Sequence, residues 1–178
     1  MNRLRRRLNV LAAALPSGWL LGRAHAAPGS FDLVTAADMQ LDAAHSGESP
    51  PDMQPGHAPR TRSLGDASAP APVIRVSKPT LMQGHAVLSS PVSIDLRFEA
   101  GEGARIVPGS FRVLYGGWHI DITDRILANV GAPTEQGIAI QNANIPAGHH
   151  KLTLQISDDH SREARLAIEL DIVERPSG

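Results

Sequence analysis

The chain contains no cysteine. That absence removes a disulfide scaffold, a cysteine-ligated zinc site, a thiol nucleophile and the lipid-bearing cysteine of a lipoprotein. Aromatic residues are nearly as scarce, with one Tyr, two Trp and three Phe among 178 residues, so any core must be aliphatic. An excess of one charge is missing as well. The 17 Lys+Arg against 18 Asp+Glu leave a formal charge of −1, which gives no reason to expect nucleic acid as partner. No apolar run is long enough for a stable membrane span. None of the H-E-x-x-H, G-x-S-x-G, P-loop or EF-hand spacings occurs. Ser and His are plentiful, but a catalytic triad is a matter of geometry that a sequence does not show. The chain is therefore expected not to be an enzyme and to need no cofactor.

What is present begins with an address. Arg3, Arg5, Arg6 and Arg7 come first without an acid. An interrupted apolar stretch follows from Leu8 to Gly22, and then Ala24-His25-Ala26. Basic, apolar, small-x-small is the order of a secretory signal peptide, here residues 1–26. Arg5-Arg6-Arg7-Leu8 resembles a twin-arginine start, but Asn9 breaks the apolar pair that should follow, which favours ordinary secretion. Cleavage after Ala26 removes five Arg and no acid, leaving 12 bases against 18 acids and a charge of −6. Such a chain is repelled by nucleic acid and anionic lipid. Cleavage after Ala24 is the alternative and would make His25 the mature N-terminus.

Two compositions follow the signal. Residues 27–72 hold four Ile/Leu/Val and seven Pro, whereas residues 73–174 hold 29 Ile/Leu/Val. The first stretch buries too little to offset its ordering entropy and is expected to be a disordered Pro/Ala-rich linker. A short helix over Phe31–Ala44 is possible there, either transient or a partner-binding peptide. From residue 73 the apolar period is two. Val92, Ile94, Leu96 and Phe98 alternate with polar residues, as do Leu152, Leu154 and Ile156, and Leu166, Ile168, Leu170 and Ile172. Strands of this kind are dry on one face and wet on the other. Further strands are expected over 73–77, 110–115, 118–122 and 137–141, about seven in all. Gly116-Gly117 is expected to close a two-residue hairpin. Thr123–Val130 is expected to form a short helix, capped by Thr123 and stopped by Gly131 and Pro133, crossing between sheets. The fold class predicted is all-β, an antiparallel sandwich with one helical crossover, followed by a tail at 175–178.

The segment Ile145-Pro146-Ala147-Gly148-His149-His150-Lys151-Leu152-Thr153-Leu154-Gln155-Ile156-Ser157-Asp158, with a final strand through Glu169–Val173, resembles the end of bacterial exported immunoglobulin-like domains. The resemblance covers about 73–174. It implies an immunoglobulin-like β-sandwich and no particular function.

Histidine is the one unusual residue, and imidazole is the commonest metal ligand. His119 and Asp121 are expected on the wet face of one strand, as a chelating pair or as two solvated residues. His149 and His150 point to opposite faces and do not chelate together. Asp158-x-His160 is similar to the D-x-H element of periplasmic copper carriers of the copper-resistance type, whose pattern starts with an N-terminal His. Asp158 and His160, with His25 under the alternative cleavage, are the candidate copper ligands. Met39, Met53 and Met82 form no methionine-rich run. Trp118 is expected to continue a buried pattern with Ile120 and Ile122. The alternative for Trp118, and for Tyr115, is an exposed residue that stacks on a glycan or peptide. The function expected is a non-enzymatic exported accessory module, periplasmic or extracellular, that contacts an envelope protein or glycan. A periplasmic copper carrier is the alternative.

Overall fold

A computed structural model describes residues 29–47 and 70–174. The signal peptide at 1–26, most of the expected linker and the tail at 175–178 lie outside the described residues, as do His25, Met53 and His57.

Alternation decides which residues form strands, and the strands stack as two sheets. Among the described residues nine strands and two helices follow in chain order: β1 (Phe31–Asp32), α1 (Ala36–Ala44), β2 (Val73–Lys78), β3 (His85–Ser89), β4 (Val92–Glu99), β5 (Ile106–Tyr115), β6 (Ile120–Asp121), α2 (Thr123–Val130), β7 (Gly137–Asn144), β8 (Gly148–Asp158) and β9 (Glu163–Val173). One sheet runs β1-β7-β4-β2 and the other β3-β9-β8-β5-β6. The first long segment of the sandwich is shared between them: β2 pairs antiparallel with β4, and β3 pairs parallel with β9. With β4 and β7 in one sheet and β5, β8 and β9 in the other, this is the strand arrangement of an immunoglobulin-like sandwich.

The inner faces are the predicted ones. Val92, Ile94, Leu96 and Phe98 of β4, Leu152, Leu154 and Ile156 of β8, and Ile168, Leu170 and Ile172 of β9 are buried, with Leu166 partly so. The core is aliphatic, with one tilted aromatic pair, Phe98 and Phe111, whose ring centroids are 5.6 Å apart.

Several expectations change. Nine strands replace about seven because β1 and β3 carry almost no alternation of their own. β5 starts at Ile106 rather than Ser110. It runs through a register shift between Val107 and Arg112, and Pro108-Gly109 sits at that bulge instead of ending the strand. The β5–β6 connection is four residues long, because Tyr115 pairs with Ile120. Trp118 therefore lies in the turn, half-buried, and not in the core. Helix α2 forms where expected and ends at Gly131, whose N–H bonds to Leu127 O at 2.9 Å. Thr123 is inside the helix rather than its cap. Its Oγ1 accepts from the Val113 N–H at 2.9 Å, and its own N–H bonds to Asp121 Oδ1 at 2.8 Å.

One part of the expected linker is structured, with a helix inside Phe31–Ala44 where one was possible. Residues 29–47 fold back as a strap on the sandwich. β1 takes the edge beside β7, parallel to it, with Phe31 opposite Ala143 and Asp32 opposite Asn144. Leu33 and Val34 enter the core at 0% and 1% exposure. Counting the segment's own apolar residues missed this, since the sockets that bury them belong to the other half of the chain.

Candidate functional site

The strap lies in a groove whose walls come from three places: the edge of β7, helix α2 and the β5–β6 turn. Each wall supplies a distinct contact. The backbone of β7 pairs with β1, and the Leu33 N–H donates to Asn144 O at 2.8 Å. The extended chain then turns into α1 through a reciprocal cap. Thr35 Oγ1 accepts from the Asp38 N–H, and Asp38 Oδ2 accepts from the Thr35 N–H and hydroxyl at 2.8 and 2.7 Å. This satisfies helix N-terminal donors within the strap itself.

The α2 wall adds a cation. Arg125 holds Asp38 bidentately, Nη1 to Oδ2 at 2.5 Å and Nη2 to Oδ1 at 3.1 Å, and the same Nη1 bonds to Leu33 O at 3.1 Å. Planar guanidinium and planar carboxylate match in this geometry. Burial alone pushes the Asp38 carboxyl up, but the bonds from Arg125 and Thr35 outweigh it and hold the group at about 2. The same pair raises Arg125.

The turn wall takes a second carboxylate. Asp42 Oδ1 accepts the Trp118 N–H at 2.9 Å. Gly116, at φ 73°, faces that carboxylate so closely that a Cβ there would collide with it. Gly116 thus makes room for a carboxylate as well as for a turn. Trp118 then stacks on His45, with ring centroids 4.3 Å apart and planes 17° apart. The inward stripe of α1 is Asp38, Met39, Asp42 and His45, while Leu41 faces outward at 44% exposure. Leu41 thus faces solvent while two carboxylates face the sandwich. The helix is held by charge, by ring stacking and by the partly buried Met39, and the Leu33-Val34 pair before it is anchored by full burial.

The residues singled out in the sequence fall as follows. Trp118 meets a peptide, and that peptide is the chain's own strap. Tyr115 is buried. Its O–H lies 3.1 Å from His150 Nδ1, while His150 Nε2 bonds to Pro146 O at 2.8 Å. A carbonyl only accepts, so Nε2 carries the proton and Nδ1 accepts from the phenol. Burial lowers the His150 pKa and raises that of Tyr115. His119 lies in the β5–β6 turn at φ 57°, not on a strand, and Asp121 is bonded to the start of α2. The two do not form a strand-borne pair.

Asp158 and His160 sit at the β8–β9 turn. The Asp158 side chain is fully buried. Oδ2 accepts from Arg162 Nε at 2.7 Å, and Oδ1 accepts from the backbone N–H groups of His160 and Arg162 at 3.0 and 2.9 Å. Burial raises its pKa, and these bonds outweigh that and lower it. Asp158 thus organises the turn, and His160 is exposed beside it. A metal ion would have to displace a buried guanidinium to reach this carboxylate.

One cluster escaped the sequence reading. Asp171 on β9 lies between two imidazoles, His85 Nε2 at 2.9 Å and His149 Nδ1 at 2.7 Å, each on a different oxygen. The two bonds lower the carboxyl pKa. The register of the β8–β9 hairpin, with His149 opposite Asp171, was the signal for half of it. Among the described residues no group of three or more His, Asp or Glu is placed to hold a metal ion. Among them, too, no helix is long and apolar enough to cross a membrane. Arg125, Asp38 and Asp42 were not singled out either. The T-x-x-D spacing of Thr35 and Asp38 was the readable sign of a helix start there.

No family model matches the chain, and no curated protein matches it. Two solved structures resemble it in outline. CopC from Methylosinus trichosporium OB3b is 11% identical, with 53% of this chain and 86% of that one covered and a TM-score of 0.34. A fibronectin(III)-like module of Clostridium thermocellum CbhA is 12% identical, with 57% and 98% covered and a TM-score of 0.34. The resemblance is one of fold alone.

Proposed function

We propose that the chain is a non-enzymatic exported accessory module whose sandwich contacts a protein partner in the bacterial envelope. The supporting observation is that the sandwich holds a polypeptide segment by four different means: strand pairing, aliphatic sockets, a bidentate ion pair and a ring stack. Such a surface suits peptide recognition better than glycan recognition, because its sockets and its strand edge read a backbone and aliphatic side chains. Export rests on the basic, apolar, small-x-small order of residues 1–26. The copper reading has less support, since the oxygens of Asp158 are already bonded to Arg162 and to backbone N–H groups.

In-cell crosslinking followed by fractionation tests the proposal. The expected result is a processed chain, cut after Ala26, in the envelope fraction and crosslinked to a discrete protein. A full-length chain retained in the cytoplasm would overturn the export half. A processed chain crosslinked only to glycan would overturn the choice of partner. Calorimetric titration with Cu(II) is expected to give affinity weaker than about micromolar, because tight sites need three or four held ligands. Submicromolar binding lost in His160→Ala would replace the binding module with the carrier.

A further inference from the structure

We infer that the groove beneath the strap is a docking site for a segment of another polypeptide, and that residues 29–47 are its internal occupant. The inference rests on the reading of the chain as a binding module and names the surface used. The groove prescribes its ligand. Two adjacent aliphatic side chains fill the sockets of Leu33 and Val34. A carboxylate four residues after the second aliphatic meets Arg125, and another eight residues after it meets the Gly116–Trp118 turn. The partner is thus an acidic peptide that is extended over the aliphatic pair and helical beyond it.

The strap makes each of these contacts, but its strand and its helix are short, which makes it displaceable. It pairs only two residues with the eight-residue β7. Its helix has nine residues, a length that is marginal alone in water. Asp38 is the one fully buried residue of that helix, and Met39 is its one apolar side chain packed, partly buried, against the core. Beside the entry of β1 lies a hollow of about 400 Å³ lined by Phe31, Asn129, Val130, Ala139, Gln141 and Asn142. The strap is also covalently joined to the sandwich, so it competes at a high effective concentration. A partner therefore gains access by matching the groove better, not by abundance.

Two experiments on the full chain test this. In hydrogen exchange, the amides of residues 31–45 are expected to be at least tenfold less protected than those of β8 and β9, because the strap opens without global unfolding. Equal protection would make the strap an integral part of the domain and overturn the inference. In fluorescence anisotropy, a labelled peptide of residues 29–47 is expected to bind the Leu33→Ser chain at least tenfold more tightly than wild type, since that change weakens the strap and leaves the groove intact. Adding Arg125→Ala to that chain should abolish the gain, and a peptide with both Asp38→Ala and Asp42→Ala should bind at least tenfold more weakly. A folded Leu33→Ser chain that ignores the peptide would overturn the inference, as would one that fails to fold. Strap exchange between wild-type chains, seen as a concentration-dependent dimer, would overturn it in favour of a second copy. A discrete envelope partner captured equally by wild type and by Arg125→Ala would leave the proposed function standing and remove this groove from it.

Discussion

Leu154 and Leu33 are both sealed from solvent, at 2% and 0% exposure, yet they belong to regions held by different means. Leu154 sits on an eleven-residue strand paired on both sides and packed into a continuous aliphatic core. Leu33 sits on a strap whose strand is two residues long and whose helix is gripped by Arg125, a backbone N–H and an indole ring. Nondirectional burial fixes the first region. The same burial anchors Leu33 and Val34 in the second, where directional polar contacts, each worth little in net terms, hold the helix beside them. The lesson is that one core is shared by a long, doubly paired strand and by a short segment with few backbone pairs.

The comparison can be broken most severely in the core. Leu154→Ala is expected to cost about 2–5 kcal/mol through lost transfer energy and a residual cavity. Urea unfolding followed by circular dichroism measures it, and a cost near zero would show that β8 is not what holds the sandwich. Arg125→Ala is expected to cost less, about 1–3 kcal/mol, by leaving the buried Asp38 carboxylate without its cation. Its effect should appear first as lost protection of residues 31–45. A loss spread evenly over β8 and β9 would erase the distinction between the two regions.

Acid should separate the regions by pH. His150 has a folded pKa below its ordinary value, so the unfolded chain binds its proton first. Stability that is full above the ordinary His range is therefore lost as pH falls through about 6.5. This loss belongs to the sandwich. Asp38 is held at about 2 against an ordinary 3.8, so its contribution is full above about pH 4 and is lost as pH falls toward 2. That contribution is about 2 kcal/mol at most, and it belongs to the strap. Chemical-shift titration of strap and core amides should give two waves in that order. A strap that releases with the first wave would contradict the role given to Asp38. The smallest effect is expected at Gln155→Ala, within about 0.5 kcal/mol. Gln155 is the outward neighbour of Leu154, and a cost as large as that of Leu154→Ala would mean the strand faces are reversed.

Legibility in the sequence followed the same division. β4, β8 and β9 could be read because one wetted face per strand writes a period of two into the sequence. β3 could not, since its inward residues are Ala86 and Leu88 while Val87 faces out at 61% exposure. Trp118 was assigned to the core because Gly116-Gly117 reads as a complete two-residue turn, whereas Trp118 and His119 belong to the turn as well. Gly116 serves Asp42, which is 76 residues earlier than Trp118, and no local pattern records that demand. Arg125 read as an ordinary helix residue for the same reason. The candidate site is built from pairs distant in sequence, and a single chain shows periodicity but not partnership.

The parallel pairing of β1 with β7 joins residues 112 positions apart. Loop-closure entropy delays such a contact until the intervening strands are in place. The strap is thus made first and docks last. Until it docks, the edge of β7 presents unpaired backbone groups, which is the surface that invites pairing between sheets of different molecules. A strap supplied by the same chain covers the Ala143–Asn144 end of that edge at unimolecular speed, so its second consequence is kinetic protection of that end against pairing with another molecule.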